Sequence, residues 1–222
     1  MSNNFRIYPD PKSVAQAAAD YLCKQIQACV DAKGQCHVVL PGGSTPAVCL
    51  RLLADKPLPW HSIHWYPGDE RCYPVGHEER NDTMIRQKLF SQNTQAEKTF
   101  HPMPAELGPE EAAKHYSKLL DEVGQLDIVV LGMGEDGHTA SLFPGNAALE
   151  DTRSAVAVYE APKAPDERIS ISLDTLRNAG ECIVIATGEG KREALTRIMQ
   201  GESLPVGMIE PDVWFIDQTA SP

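Results

Sequence analysis

Leu131-Gly-Met-Gly-Glu-Asp-Gly-His-Thr-Ala-Ser-Leu-Phe-Pro144 decides how the rest of this chain is read. Four apolar residues, 128–131, lead into it with the length and character of a buried strand. Gly132, Gly134 and Gly137 then form a flexible turn carrying Glu135, Asp136 and His138. Glycines of this kind let a ligand approach the backbone closely. In open α/β sheets, ligands bind just beyond the carboxyl ends of strands. An acid and an imidazole two residues apart at such a place mark a candidate reaction centre.

Outward from this turn, apolar runs alternate with helical patterns. Asp10 and Pro11 suit the cap and first position of a helix, whose apolar spacing continues to a stop at Gly34. Residues 37–40 read as a strand, followed by Pro41-Gly-Gly-Ser-Thr-Pro46 and a helix to about Ala54. Residues 63–66 read as a second strand, running into the loop Gly68-Asp-Glu-Arg71. Helical patterns return at 78–90, at 109–123 with Gly124 as cap, and at 189–199 after Gly188. Further strands are expected at 155–159, 169–173, 183–186 and 213–216. Strands alternating with helices and ending at glycine-rich turns predict an α/β protein. The expected fold is a Rossmann-like, doubly wound, mostly parallel sheet with helices on both faces. Apolar runs without strict alternation suit strands covered on both sides.

The chain has 222 residues, which suits one domain, 1–222. With 42% hydrophobic and 23% charged residues it has the composition of an ordinary globular protein. No internal repeat is present, which argues against a propeller. A formal charge of −11 argues against a nucleic-acid or anionic-membrane partner. An anionic ligand would therefore need local Arg, Lys or backbone N–H groups to overcome a repulsive field. The six cysteines show no C-x-x-C pair, so reduced thiols are expected. The start, Met1-Ser-Asn-Asn-Phe-Arg6, lacks the apolar core of a signal peptide, and a cytoplasmic protein is expected. The assembly expected is a monomer or small homo-oligomer.

Four segments carry chemistry. Gly42, Gly43, Ser44 and Thr45 lie between a strand and a helix, where free N–H groups and hydroxyls suit a phosphate; a plain capped turn is the bland alternative. The segment is neither a Walker loop nor a G-x-G-x-x-G fingerprint. Asp69, Glu70 and Arg71 follow the second strand, where a solvated loop is the usual reading of such charges. Cys72 beside Arg71 is a possible low-pKa nucleophile, although no histidine partner is evident and a bystander thiol is the alternative. In the third segment, His138 can accept a proton near neutrality and Asp136 can orient it. Metal binding competes with that reading, but no H-x-x-x-H pair or second histidine of ligand spacing accompanies it. The fourth segment supplies Arg168 and Lys191, two cations suited to phosphate or else ordinary surface charges. The remaining histidines read as structural or solvated.

Together these elements resemble the 6-phosphogluconolactonase family, in the branch related to glucosamine-6-phosphate deaminases. The matching residues are Gly42-Gly-Ser-Thr-Pro46, Gly68-Asp-Glu-Arg71, Asn81, Gly132–Pro144, Arg168-Ile-Ser-Ile-Ser172 and Thr187-Gly-Glu-Gly-Lys191. The resemblance implies hydrolysis of 6-phosphoglucono-δ-lactone to 6-phosphogluconate in the oxidative pentose phosphate pathway, with no cofactor and no required metal. It implies His138 as general base, and Gly43, Ser44, Thr45, Arg168 and Lys191 as phosphate contacts. Asp69, Arg71, Asn81 and Asp136 would line the sugar end, with Arg71 stabilising charge on the lactone oxygens. Arg80 precedes Asn81 where relatives often carry a small residue. A deaminase would share the phosphate turn but carry Asn-Glu-Pro where this chain has Leu142-Phe143-Pro144. A sugar-phosphate sensor without catalysis is a further alternative.

Overall fold

Residues 4–222 are described by the computed structural model; residues 1–3, part of the segment read as lacking a signal peptide, lie outside them. In chain order the strands are β1 (Phe5–Tyr8), β2 (Cys36–Leu40), β3 (Ile63–Pro67), β4 (Asp69–Arg71), β5 (Ile128–Gly132), β6 (Ala155–Val158), β7 (Arg168–Ile171), β8 (Glu181–Ala186) and β9 (Val213–Asp217). The helices are α1 (Pro11–Lys33), α2 (Ser44–Ala54), α3 (Asn81–Ile85), α4 (Pro109–Val123), α5 (Leu173–Arg177), α6 (Arg192–Met199) and α7 (Pro205–Met208).

Six strands form one sheet in the order β1-β9-β8-β5-β2-β3, with every neighbouring pair parallel. From β2 the chain moves to β3 on one side; from β5 it moves to β8 on the other. The switch point therefore lies between β2 and β5, where a crevice opens at the carboxyl ends. Successive side chains point to opposite faces, so Val38 and Leu40 enter one core while Val39 enters the other. The same split divides Ile128 and Val130 from Val129 and Leu131. Burial on both faces explains why these strands read as unbroken apolar runs.

The boundaries of α1 have local causes. Asp10 accepts the Ser13 N–H at 2.8 Å, Pro11 fills the first turn, and Gly34 closes the helix at φ 82°, donating to the Val30 carbonyl at 2.8 Å. α4 spans the expected residues and ends at Gly124. No helix among the described residues is long and apolar enough to cross a membrane.

Three expectations need correction. Strands 155–159 and 169–173 do not join the parallel sheet. They are β6 and β7, and with β4 they form a separate antiparallel sheet in the order β4-β7-β6. The Asp69–Arg71 segment is accordingly a strand and not a solvated loop. The helix expected from residue 78 begins only at Asn81 and passes into a π-helical turn, Arg86–Phe90. Its start is set from outside: the Glu70 carboxylate on β4 accepts the Asn81 N–H at 2.7 Å and the Asp82 N–H at 2.8 Å, satisfying donors that a helix start leaves free. Three of the remaining histidines share one stack at the amino ends of β2 and β3. His37 lies 4.9 Å from His64 between ring centroids, and His64 lies 5.4 Å from His101.

Candidate active site

A cleft of about 630 Å³ opens at the switch point. The ten residues expected to bind substrate or act on it line it: Gly43, Ser44, Thr45, Asp69, Arg71, Asn81, Asp136, His138, Arg168 and Lys191.

One end of the cleft is the start of α2. Gly43 precedes the helix at φ 98°, and no side chain caps the first turn. Free N–H groups and the helix dipole together favour an anion there. Gly42 must be glycine, because a Cβ would collide with the Asn81 side chain. Thr45 Oγ1 and Thr187 Oγ1 are 2.8 Å apart, joining this turn to the one after β8. Lys191 enters the cleft from that second turn, three residues after Gly188 at φ 93°.

The turn after β5 carries the imidazole. His138 Nδ1 lies 2.6 Å from Asp136 Oδ1, and the His138 backbone N–H donates to the same oxygen at 3.1 Å. Burial opposes ionisation of Asp136, but the neighbouring His138 outweighs it and holds the carboxyl below its ordinary range. An ionised carboxylate only accepts, so Nδ1 carries a proton, and in the neutral ring Nε2 is the nitrogen with a free lone pair. The ring packs on Phe143 with centroids 4.5 Å apart. A Cβ on Gly134 would collide with both His138 and Asp136. Ala140 is held at φ 49°, a left-handed conformation that costs a non-glycine residue energy and recurs at functional turns.

The facing wall is built on β4 and α3. Asp69 Oδ1 accepts from Asn81 Nδ2 at 2.9 Å, and Oδ2 accepts from the Ser141 hydroxyl at 2.5 Å. Glu70 is fully buried; besides the two N–H groups at the start of α3 it accepts the Arg71 N–H at 2.8 Å. Arg80 points away from the cleft into a buried network. Its guanidinium binds Asp82 at 3.0 and 3.1 Å, Glu106 at 3.0 Å, and the carbonyls of Tyr73 and Met103. The bulky residue before Asn81 therefore braces α3 and leaves the cleft clear.

Arg71 donates to the Glu79 carbonyl at the rim. Arg168 donates to the carbonyls of Pro165 at 3.0 Å and Lys163 at 2.7 Å, and lies 5.6 Å above the Phe143 ring. It thus positions the segment holding Lys163, a cleft cation the sequence reading missed because nothing in its neighbourhood forms a motif. Ser141 and Thr187 were also missed as site residues, and Glu70, named with its segment, was given no role of its own. Ser141 and Thr187 stand inside the quoted motifs, but their partners are far away in sequence. Cys72 is half-buried, and burial pushes its thiol up to about 12, the reverse of an activated nucleophile.

Arg71, Lys163, Arg168 and Lys191 face Asp69, Glu79, Glu135 and Asp136 around the cleft. Four cations against four acids make it locally balanced within a chain of −11, with the α2 tip tilting one end towards an anion. Among the described residues, the one group of three metal-ligating side chains within mutual reach is Cys29, Cys36 and Asp127, outside the cleft.

Fold and cleft together define a class: parallel-sheet α/β proteins that face a helix N-terminus and an imidazole–carboxylate pair across one switch-point crevice. A family model described as glucosamine-6-phosphate isomerases/6-phosphogluconolactonase matches residues 9–217, and the chain belongs to that family. It is 33% identical to a 6-phosphogluconolactonase of Mycobacterium bovis, over 100% of this chain and 98% of the relative. Its backbone is similar to a crystal structure of 6-phosphogluconolactonase from Thermotoga maritima, with a TM-score of 0.91 at 24% identity over 98% and 100% of the two chains. A monomeric glucosamine-6-phosphate deaminase shares the fold at a TM-score of 0.83 and 18% identity over 98% of each chain.

Proposed function

We propose that this chain is a carboxylic-ester hydrolase that opens 6-phospho-D-glucono-1,5-lactone to 6-phospho-D-gluconate. The observation that carries the reading is the orientation of His138: Nδ1 is tied to Asp136, which leaves Nε2 as a free base in a cleft that also holds an uncapped helix start. The phosphate sits at Gly43, Ser44 and Thr45, with Lys191 and the free edge of Arg168 completing its contacts. Anchoring the phosphate orients the lactone carbonyl towards a water molecule. Nε2 takes a proton from that water as its oxygen attacks C1, and Asp136 stabilises the imidazolium formed. Arg71 meets the charge developing on the lactone oxygens. The tetrahedral intermediate then collapses, the C1–ring-oxygen bond breaks, and the imidazolium returns its proton to the departing oxygen. A lactone is already electrophilic, so neither a covalent nucleophile nor a cofactor enters the scheme. Asp69 and Asn81, held by each other and by Ser141, form a fixed wall at the sugar end.

The same proposal treats residues 1–222 as one functional domain acting in the oxidative pentose phosphate pathway. It includes a cytoplasmic location, which six free cysteines support, and a small-molecule substrate with no nucleic-acid or membrane partner. The deaminase alternative loses support at Phe143, whose ring occupies the flank of His138 where a deaminase would carry a glutamate.

The test is loss of freshly generated lactone measured against its spontaneous hydrolysis, with chelator present and with glucosamine 6-phosphate as a competing substrate. Acceleration that survives chelation, with no ammonium released from the amino sugar, is expected. Ammonium release without lactone acceleration would reject the assignment.

A further inference from the structure

The amino ends of the parallel strands carry a second polar cluster, at the opposite edge of the sheet from the cleft. Cys29 lies near the end of α1, Cys36 opens β2, and Asp127 immediately precedes β5. Their sulfur and carboxylate ligand atoms all lie within 4.8 Å of one another. Cys36 and Asp127 are buried and Cys29 is half-buried, so the cluster reaches solvent on one side only.

This place already attracts positive charge. Lys33 Nζ lies 2.5 Å from Asp127 Oδ1, while Oδ2 accepts the His37 N–H at 2.8 Å. The Lys33 side chain is 58% exposed, so its ammonium reaches in from solvent and can withdraw without disturbing the core. The two thiols face this carboxylate and each other, and the Cys29 thiol also lies 3.6 Å from the Gln35 carbonyl.

We infer that Cys29, Cys36 and Asp127 form a binding site for a soft divalent cation of the zinc class, which takes the place at Asp127 Oδ1 that the Lys33 ammonium now holds. Two sulfurs and one oxygen suit such an ion, whose Zn–S bonds are about 2.3 Å and Zn–O bonds about 2.0–2.2 Å. Ligand atoms in a tetrahedral site then stand roughly 3.5–3.8 Å apart, so separations of up to 4.8 Å need to contract by at most about 1.3 Å. The fourth position faces the Cys29 side and is filled by water. Binding forms two metal–thiolate bonds and releases the two thiol protons to solvent. Nothing is oxidised. The ion would fasten the end of α1 to β2 and β5, and the site stands independently of the proposed reaction.

The full chain, stripped with chelator and kept reduced, is titrated with Cd²⁺ as spectroscopic probe and then with Zn²⁺ alone. One Cd²⁺ per chain with a thiolate-to-cadmium charge-transfer band is expected, with affinity rising up to about 100-fold per pH unit while both thiols start protonated. Cys29→Ser, at the half-buried ligand, should keep the fold and lactone turnover, lose about half of the band, and weaken binding at least about tenfold. Cys23→Ser, at a half-buried thiol outside the cluster, should change neither. Zn²⁺ should raise the melting temperature of the parent and not of Cys29→Ser. A band intact in Cys29→Ser, equal loss in Cys23→Ser, or no binding by the folded chain would overturn the site.

Discussion

On the wall after β5, the Asp136 side chain is 46% exposed and is engaged by one residue, His138. On the facing wall, Asp69 and Glu70 are buried, and each of their four carboxylate oxygens accepts at least one hydrogen bond from the protein. Both walls use carboxylates within a few residues of a strand end. They differ in whether hydrogen-bonding capacity is left for a ligand. A carboxylate with every oxygen engaged can hold backbone in place but has little to offer a reacting atom. A carboxylate that orients one imidazole leaves that imidazole's second nitrogen available. Chemistry and rigidity are thus divided between the walls.

That division can be broken first at His138. His138→Ala should lower kcat by about 10²–10⁴-fold with KM changed little, measured on fresh lactone. Equal loss from an Asp69 variant that keeps its fold would erase the contrast. The next effect belongs to the rigid wall and appears in stability. Glu70→Ala leaves three backbone donors and part of the Arg80 network unanswered, and should cost about 3–5 kcal/mol in denaturant unfolding. Lys191→Ala should raise KM by roughly 10- to 100-fold, matching the ~1.5–3 kcal/mol of a charge-assisted contact, with kcat largely kept. The smallest effect concerns Asp136 and acid. Its folded pKa is below the ordinary 3.8, so its stabilising pairing with His138 is present above 3.8 and lost as pH falls through the folded value. The stabilities of the parent and Asp136→Asn should therefore converge on acidification below pH 3.8, in a urea series. A gap that widens instead would mean that the pairing does not stabilise the fold.

Much of the open wall was legible because its signals are local. Gly132, Gly134 and Gly137 lead into the histidine within seven residues, and the Gly42–Thr45 turn lies directly between its strand and helix. The long helices were legible for the same reason, since Asp10, Gly34 and Gly124 act on their own termini. The rigid wall was not. Asp69-Glu-Arg71 looks solvated in isolation, and what makes it a buried strand is its pairing with β7, about 100 residues later. Glu70 caps a helix that starts 11 residues on, which no local pattern reveals. The short strand Phe5–Tyr8 and the one-turn helix Leu173–Arg177 were missed because segments of four or five residues carry too little periodicity.

The bare backbone at Gly134 has a practical consequence for anyone redesigning the pocket. The rim cations at 163 and 191 can be exchanged without moving the imidazole, because neither defines where it rests. A single methyl group at residue 134 would evict that ring from its berth. New substrate preferences should therefore be sought around the perimeter, with the 134–138 turn copied unchanged.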